Sequence, residues 1–180
     1  MLKDKTMTYI SLFSCAGVGC YGFKKAGFEC IATNELIERR LNVQRFNNKC
    51  KYDSGYICDD ITLEKTKEKI FAEIKRWEKL GNDRVDVLIA TPPCQGMSVA
   101  NHKKAENEII RNSLVVESIH LMQKVKPRFF IFENVAAFMK TGCTAPDGSV
   151  KAIGDVIYEE LSEHYIIASR VLNFKNYGSN

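Results

Sequence analysis

The segment Val85-Asp86-Val87-Leu88-Ile89-Ala90-Thr91-Pro92-Pro93-Cys94-Gln95-Gly96 joins a short apolar run to a rigid proline turn. An apolar run of this length, bounded by turn residues, is typical of a strand buried in a parallel sheet. Proline has a fixed φ, so the two consecutive prolines stiffen the turn that follows the strand. The segment therefore predicts a central strand at residues 85–90 that ends in a loop carrying Cys94.

Other apolar runs of strand length lie on both sides of this segment. They cover residues 9–13, 30–33, 129–132 and 166–172, with a weaker one at 56–58. Amphipathic stretches predict helices between them, at about residues 19–26, 36–46, 62–80, 108–125 and 153–162. Strands that alternate with helices predict βαβ units, and hence a doubly wound α/β fold with a mostly parallel sheet. Ligands bind such sheets at the carboxyl ends of the strands, so we expect the chemistry there.

The composition is that of one soluble globular domain, which we expect to span residues 1–180. Hydrophobic residues make up 45% of the 180 and charged residues 27%, which excludes a disordered or fibrous chain. The longest apolar runs are too short to cross a bilayer, and no apolar signal core follows Met1, so we expect a cytoplasmic protein. A net charge of +4 is compatible with nucleic-acid binding but does not identify it.

The cysteines and histidines do not have the spacing of a disulfide framework or a zinc site. The seven cysteines are an odd number and include no Cys-x-x-Cys pair, which argues against a disulfide framework. The three histidines lie far from any cysteine pair at zinc spacing, so we expect no metal. Most of the cysteines are expected to be small buried hydrophobic residues in a reduced protein.

A glycine-rich turn follows the first predicted strand. Residues 17–22 match Gly-x-Gly-x-x-Gly, and Glu35 follows the second predicted strand at a spacing that suits a ribose-binding acid. A nicotinamide dinucleotide is one candidate ligand, but three residues separate Phe13 from Gly17, whereas that motif turns directly after its strand. An adenosine-type cofactor without a pyrophosphate fits the spacing equally well, and a purely structural turn is a third alternative.

Asp59-Asp60-Ile61 follows the weak strand at residues 56–58. An acid at this position can accept the exocyclic amine of an adenine while Ile61 packs against the ring. The alternative is structural, because either Asp60 or Thr62 can cap the helix that follows.

Two strand ends carry residues suited to covalent catalysis. Cys94 is presented after the two prolines, where a thiol can act as a nucleophile if positive charge lowers its pKa. His102, Lys103 and Lys104 follow it and can either supply that charge or contact phosphate. Glu133 follows residues 129–132, and a glutamate at the end of a buried strand can serve as a proton donor near neutral pH. The alternatives are an inert buried Cys94 and a helix-capping Glu133.

Taken together, these residues resemble the cytosine-C5 DNA methyltransferase family. The matching segments, in chain order, are Leu12-Phe13-Ser14-Cys15-Ala16-Gly17, Asn34-Glu35, Asp60-Ile61, Pro92-Pro93-Cys94-Gln95, Arg111-Asn112-Ser113-Leu114 and Glu133-Asn134-Val135. The Pro-Cys-Gln and Glu-Asn-Val segments, each at the end of an apolar strand, are the most specific part of this resemblance. Methyltransferases that modify exocyclic amines have an aromatic residue after Pro-Pro, where this chain has Cys94.

The resemblance implies a Rossmann-like fold that binds S-adenosylmethionine, and it assigns the site residues. The implied cofactor-binding residues are Phe13, Cys15, Ala16, Gly17, Glu35, Leu36, Asp60, Ile61, Pro93 and Leu114. The implied catalytic residues are Cys94, Gln95, Glu133 and Asn134. In the implied reaction the Cys94 thiolate adds to cytosine C6, Glu133 assists at N3, and C5 accepts the methyl group. The implied partner is duplex DNA with a flipped cytosine, as in restriction–modification systems.

The chain departs from the family pattern at two places. The family usually has glycine where Cys15 stands. Family members also continue beyond a segment equivalent to residues 173–180 into a Gln-x-Arg-x-Arg motif, a target-recognition region and a final helix. We therefore expect these 180 residues to be nearly silent alone and to need that part, either on a longer chain or on a second one. Rival hypotheses are an RNA cytosine-C5 methyltransferase, a nicotinamide-dependent oxidoreductase and a non-catalytic binding module.

Overall fold

The computed structural model describes residues 6–93 and 114–178. Seven strands lie in these ranges: β1 (Thr8–Leu12), β2 (Glu29–Glu35), β3 (Tyr56–Cys58), β4 (Val87–Ala90), β5 (Phe129–Phe132), β6 (Gly142–Thr144) and β7 (Val150–Ala152). Five α-helices accompany them: α1 (Tyr21–Lys25), α2 (Glu38–Phe46), α3 (Glu64–Glu78), α4 (Leu114–Val125) and α5 (Ile153–Leu161). The predicted alternation of strands and helices is confirmed from β1 to β5, whereas β6 and β7, which precede α5, were not predicted.

The first five strands form one parallel sheet in the order β3-β2-β1-β4-β5. After β1 the chain moves outward to β2 and β3, and it then returns to place β4 on the other side of β1. The strand order therefore reverses between β1 and β4, which is the point where open α/β sheets bind ligands. The remaining two strands, β6 and β7, form a separate antiparallel hairpin.

The central strands bury side chains on both faces, which makes the sheet doubly wound. Ile10 and Leu88 belong to a core that includes residues of α3, α4 and α5. Their neighbours Tyr9 and Val87 belong to a second core that includes Leu41 of α2. Alternation along a strand sends successive side chains to opposite faces, so a strand buried on both faces is apolar throughout.

The predicted strand at residues 166–172 is wrong. The segment has no strand pairing, and Ile166 and Val171 are exposed. An apolar extended segment becomes a strand only when a sheet edge satisfies its backbone groups, and in the described residues none pairs with this one.

The strand at residues 129–132 forms as predicted, but it is not buried on both faces. Phe129 is 52% exposed and Ile131 is 39% exposed, while Phe130 and Phe132 pack against the core of the sheet. Within the described sheet β5 is an edge strand, so it has a neighbouring strand on one side only. Glu133 therefore follows a half-exposed strand and is itself exposed.

The cysteines mostly behave as expected. Cys20, Cys30, Cys50 and Cys143 are buried, Cys58 is half-buried and Cys15 is exposed. All six of these thiols are free. In the two described ranges no helix is both long enough and apolar enough to cross a membrane.

Candidate functional site

The parallel sheet brings the residues predicted for the site to one edge. Phe13 directly follows β1, Glu35 ends β2, Asp60 follows β3 and Glu133 directly follows β5. The turn Thr91-Pro92-Pro93 follows β4, which lies between β1 and β5 in the sheet. Because all five strands point the same way, their carboxyl ends lie along the same rim.

The turn after β1 has an unusual backbone. Phe13, Cys15 and Gly17 all have positive φ, of 54°, 50° and 84°. The turn is closed by the Gly17 N–H, which donates to the Ser14 carbonyl at 2.8 Å. It is tied to β2 by the Ser14 N–H, which donates to the Asn34 carbonyl at 3.0 Å. A positive φ is strained in a residue with a Cβ, which gives a physical reason for a glycine at the position of Cys15.

Replacing Cys15 with glycine is expected to stabilise the protein by about 1 kcal/mol, because glycine adopts this backbone without the steric cost. The thiol is exposed, so its removal leaves no cavity. Urea unfolding of the chain measures the change. Cys15→Ala is the matched control, since it removes the sulfur but keeps the Cβ. Equal stability of the alanine and glycine variants would contradict the strain argument.

Glu35, the last residue of β2, is hydrogen-bonded to this turn. Its side chain is buried, with the residue 5% exposed. Oε2 accepts the Cys15 N–H at 2.9 Å, and Oε1 accepts the Ile37 N–H at 3.0 Å and Arg40 Nη1 at 3.3 Å. A carboxylate has about four acceptor positions. The contacts of Glu35 therefore orient it rigidly and leave room for a further donor such as a ribose hydroxyl.

Leu36, next to Glu35, is 66% exposed and presents an apolar surface beside the turn. Ile61 is instead buried in the sheet core at 3% exposure, so it offers a ligand little side-chain surface. Neither Asp60 nor Thr62 caps α3, whose N-cap is Leu63 with no side-chain capping bond. Asp60 makes a local contact instead, because its Oδ1 accepts the Thr62 N–H at 2.9 Å and Thr62 Oγ1 at 2.8 Å. This contact forms a turn before α3, which begins at Glu64.

Asp59 and Asp60 have different surroundings. The ammonium groups of Lys69 and Lys65 hold the pKa of the Asp59 carboxyl below its ordinary value. Hydrogen bonds from Asn34 Nδ2 to the Asp59 carbonyl at 2.9 Å and to the Ile57 carbonyl at 3.2 Å tie this segment to β2. The negative charge of Asp59 is thus paired with two lysines, which leaves Asp60 as the better candidate to accept a ligand amine.

The ends of β4 and β5 are joined by specific contacts. The Glu133 N–H donates to the Ala90 carbonyl at 3.2 Å, which continues the strand pairing by one residue. Asn134 Nδ2 donates to the Pro92 carbonyl at 2.8 Å. On the other side Thr91 Oγ1 donates to the Phe13 carbonyl at 2.9 Å. The proline turn is therefore held between the turn after β1 and the segment after β5.

Cys94 and Gln95 lie outside the described residues, as do His102, Lys103 and Lys104. Leu114 lies in α4 and packs against the core. Of the predicted catalytic residues, the structure thus brings Glu133 and Asn134 to the end of β4.

An open cavity of about 620 Å³ lies beside the turn after β1, and its lining includes Ala16, Gly17, Gln44 and Lys49. Phe13, Glu35 and Asp60 do not line it. The cavity thus shares only Ala16 and Gly17 with the predicted cofactor residues.

Two side chains of the site were not predicted. Thr91 bridges the ends of β4 and β1, and Gln44 contacts the turn after β1 from α2. The available signal for Gln44 was its position three residues after Leu41, which places both residues on the buried face of α2. A polar residue at such a position needs partners.

A family model described as C-5 cytosine-specific DNA methylase matches residues 7–180. The Type II methyltransferase M1.HgaI of Avibacterium volantium is 31% identical over 179 residues, which cover 97% of this chain and 47% of that protein. The Type II methyltransferase M.DdeI of Desulfomicrobium norvegicum is 31% identical over 175 residues, which cover 96% of this chain and 37% of that protein. The chain thus spans less than half the length of these two relatives.

A solved structure described as a DNA modification methyltransferase encoded within an E. coli prophage has a similar fold. It matches with a TM-score of 0.58 and 24% sequence identity, over 88% of this chain and 38% of that one. At this identity the match concerns the fold, and it agrees with the predicted Rossmann-like arrangement.

Proposed function

Because the chain belongs to the family of C-5 cytosine-specific DNA methylases, we propose that residues 1–180 form the cofactor-binding and catalytic part of a DNA cytosine-C5 methyltransferase. The observation that carries this proposal is the Asn134–Pro92 hydrogen bond. It supports a site in which Glu133 and the turn before Cys94 act on the same base. The part that recognises the target sequence is proposed to lie outside these residues, on the same chain or on a second one.

The proposed cofactor is S-adenosylmethionine, which supplies an electrophilic methyl group. The residues at the turn after β1 suit an adenosine-type cofactor better than a dinucleotide. Glu35 is a fixed acceptor for a ribose hydroxyl, Leu36 is an exposed apolar surface for the adenine, and Asp60 is an acceptor for its amine. The Cys15 N–H, which would otherwise be available to a phosphate, already donates to Glu35.

In the proposed reaction the Cys94 thiolate forms a bond to C6 of the cytosine. Glu133 donates a proton to N3, which takes up the displaced ring electron pair there and leaves an enamine that is nucleophilic at C5. C5 then takes the methyl group from the sulfonium of S-adenosylmethionine, with S-adenosylhomocysteine as the leaving group, and N3 returns its proton to Glu133. Loss of the C5 proton to a base re-forms the C5–C6 double bond and expels the thiolate. The target atoms are inaccessible in a stacked duplex, so the base must be flipped out.

The RNA-directed branch of the family is the second candidate, because the motifs quoted above do not separate the two substrates. Methyl transfer to duplex DNA and to transfer RNA should be compared in the longest polypeptide that the reading frame encodes, with any separately encoded remainder added. Transfer to RNA alone would overturn the DNA assignment. Transfer to neither would favour a binding module without turnover.

The chain is expected to bind S-adenosylhomocysteine in preference to a nicotinamide dinucleotide. Replacing Glu35 with alanine should weaken this binding by about 1.5–3 kcal/mol, because a buried charged acceptor is lost. Calorimetric titration of the chain measures both effects.

Arg40→Met is the control for this titration, since it removes one donor to Glu35 and leaves the carboxylate in place. It should bind S-adenosylhomocysteine nearly as well as the unmodified chain. Tighter binding of the dinucleotide would support the oxidoreductase hypothesis instead.

A further inference from the structure

We propose that Gln44 is a positioning residue that holds the turn of residues 13–17 in its cofactor-binding shape. The inference rests on the proposed function, because it takes this turn to be the cofactor turn. Gln44 belongs to α2 and lies outside the segments that carry the family resemblance. It is 1% exposed, so its amide must find its partners inside the protein.

The Gln44 amide uses both of its ends. Nε2 donates to Ser14 Oγ at 2.9 Å and to the Cys15 carbonyl at 2.5 Å. Oε1 accepts from Thr33 Oγ1 at 2.8 Å. Two of these three contacts are to the turn, and the third ties the amide to β2.

These contacts form a hydrogen-bonded chain with a single direction. Lys49 Nζ donates to Thr33 Oγ1 at 3.0 Å, and the threonine hydroxyl donates in turn to Gln44. At the other end Ser14 Oγ donates to the Asn34 carbonyl at 3.1 Å. The Thr33 hydroxyl uses its proton on Gln44 Oε1, and the Ser14 hydroxyl uses its proton on the Asn34 carbonyl and accepts from Gln44 Nε2. If the Gln44 amide were flipped, its oxygen would face the Cys15 carbonyl, and two acceptors would be in contact. The network therefore admits one orientation of Gln44.

The contact with Cys15 explains how a strained backbone is kept. Cys15 has a positive φ of 50°. Its N–H is held by Glu35 on one side, and its carbonyl is held by Gln44 on the other. A left-handed non-glycine residue persists only where its surroundings over-determine its conformation. The hydrogen bonds that the Cys15 N–H and carbonyl make with Glu35 and Gln44 supply that constraint.

Gln44 also supports the turn by direct packing. A Cβ added to Gly17 would lie 3.0 Å from Gln44 Cγ, so the side chain lies close against the glycine. Gln44 lines the open cavity beside the turn as well. An apolar side chain at this position would fill similar space but could not hold the Cys15 carbonyl. The expected consequence is a looser turn that must be reordered on cofactor binding, which lowers affinity.

The test compares Gln44→Met with Gln123→Met in the 180-residue chain. Gln123 is a matched control, because its amide joins α4 to Glu160 and does not touch the turn. Amide hydrogen exchange by nuclear magnetic resonance should show the Cys15 and Gly17 amides exchanging roughly tenfold faster in Gln44→Met, as expected when a buried hydrogen bond is lost. Unchanged exchange at both amides, or acceleration spread equally over the sheet as in Gln123→Met, would overturn the proposal.

A second measurement separates positioning from simple loss of stability. Gln44→Met should weaken S-adenosylhomocysteine binding by about tenfold. Adding Cys15→Gly should recover part of this loss, because glycine adopts a positive φ without needing these hydrogen bonds. The absence of any rescue would contradict a role through Cys15. If the unmodified chain does not bind S-adenosylhomocysteine, the proposed function fails, while the exchange measurement still decides the role of Gln44.

Discussion

Replacing Cys94 with serine is expected to abolish the covalent adduct between this protein and DNA that contains 5-fluorocytosine. In the proposed reaction the thiolate is released only after C5 loses a proton, and a fluorine at C5 cannot leave in its place. The unmodified enzyme should therefore be trapped on the base once the methyl group has been transferred. Serine is a far weaker nucleophile near neutral pH, so turnover on ordinary DNA should also fall by about 10⁴-fold or more.

The adduct is measured by denaturing electrophoresis and mass spectrometry, with S-adenosylmethionine present. The protein used is the longest polypeptide that the reading frame encodes, with any separately encoded remainder added. Cys15→Ser is the control, because Cys15 is an exposed thiol near the proposed cofactor site. It should still form the adduct. An adduct that persists in Cys94→Ser, or one that disappears in Cys15→Ser alone, would show that the nucleophile is misassigned.

Replacing Glu133 with glutamine is expected to lower turnover by about 10²-fold or more, the usual contribution of a positioned general acid. Glutamine keeps the shape of the side chain but cannot transfer the proton to N3. Glu133 directly follows β5 and is exposed. The substitution should therefore leave the fold and S-adenosylhomocysteine binding nearly unchanged.

Single-turnover methylation and calorimetry on the same protein preparation separate these effects. Glu163→Gln provides the control, since Glu163 is an exposed glutamate that follows α5. Near-normal turnover in Glu133→Gln would remove this residue from the mechanism. A parallel loss of cofactor binding would mean that Glu133 acts on the cofactor side of the site instead.

The failed strand prediction and the exposed face of β5 have the same physical origin. Hydrophobic periodicity reports which side chains need burial, but it does not report which surface buries them. Residues 166–172 have the pattern of a strand and pair with nothing in the described chain. Phe129 and Ile131 have the pattern of a buried strand and remain partly exposed at the edge of the sheet. Each segment is buried only where another part of the protein packs against it, and the hydrophobic pattern of the segment does not show whether that part is there.

The amino-acid sequence by itself determined the order of strands and helices from β1 to β5 and the family to which the chain belongs, but not the hairpin of β6 and β7. It could do so because both depend on local information: apolar runs of strand length, the proline turn before Cys94, and the Glu133-Asn134 pair directly after β5. Only the tertiary structure decided which hydrogen bonds join these segments to one another. The partners Asn134 and Pro92 are 42 residues apart in the chain, and Gln44 and Ser14 are 30 apart. Such pairs form only when the sheet aligns its carboxyl ends, because a hydrogen bond needs its two atoms within about 3 Å, and no local pattern specifies that approach.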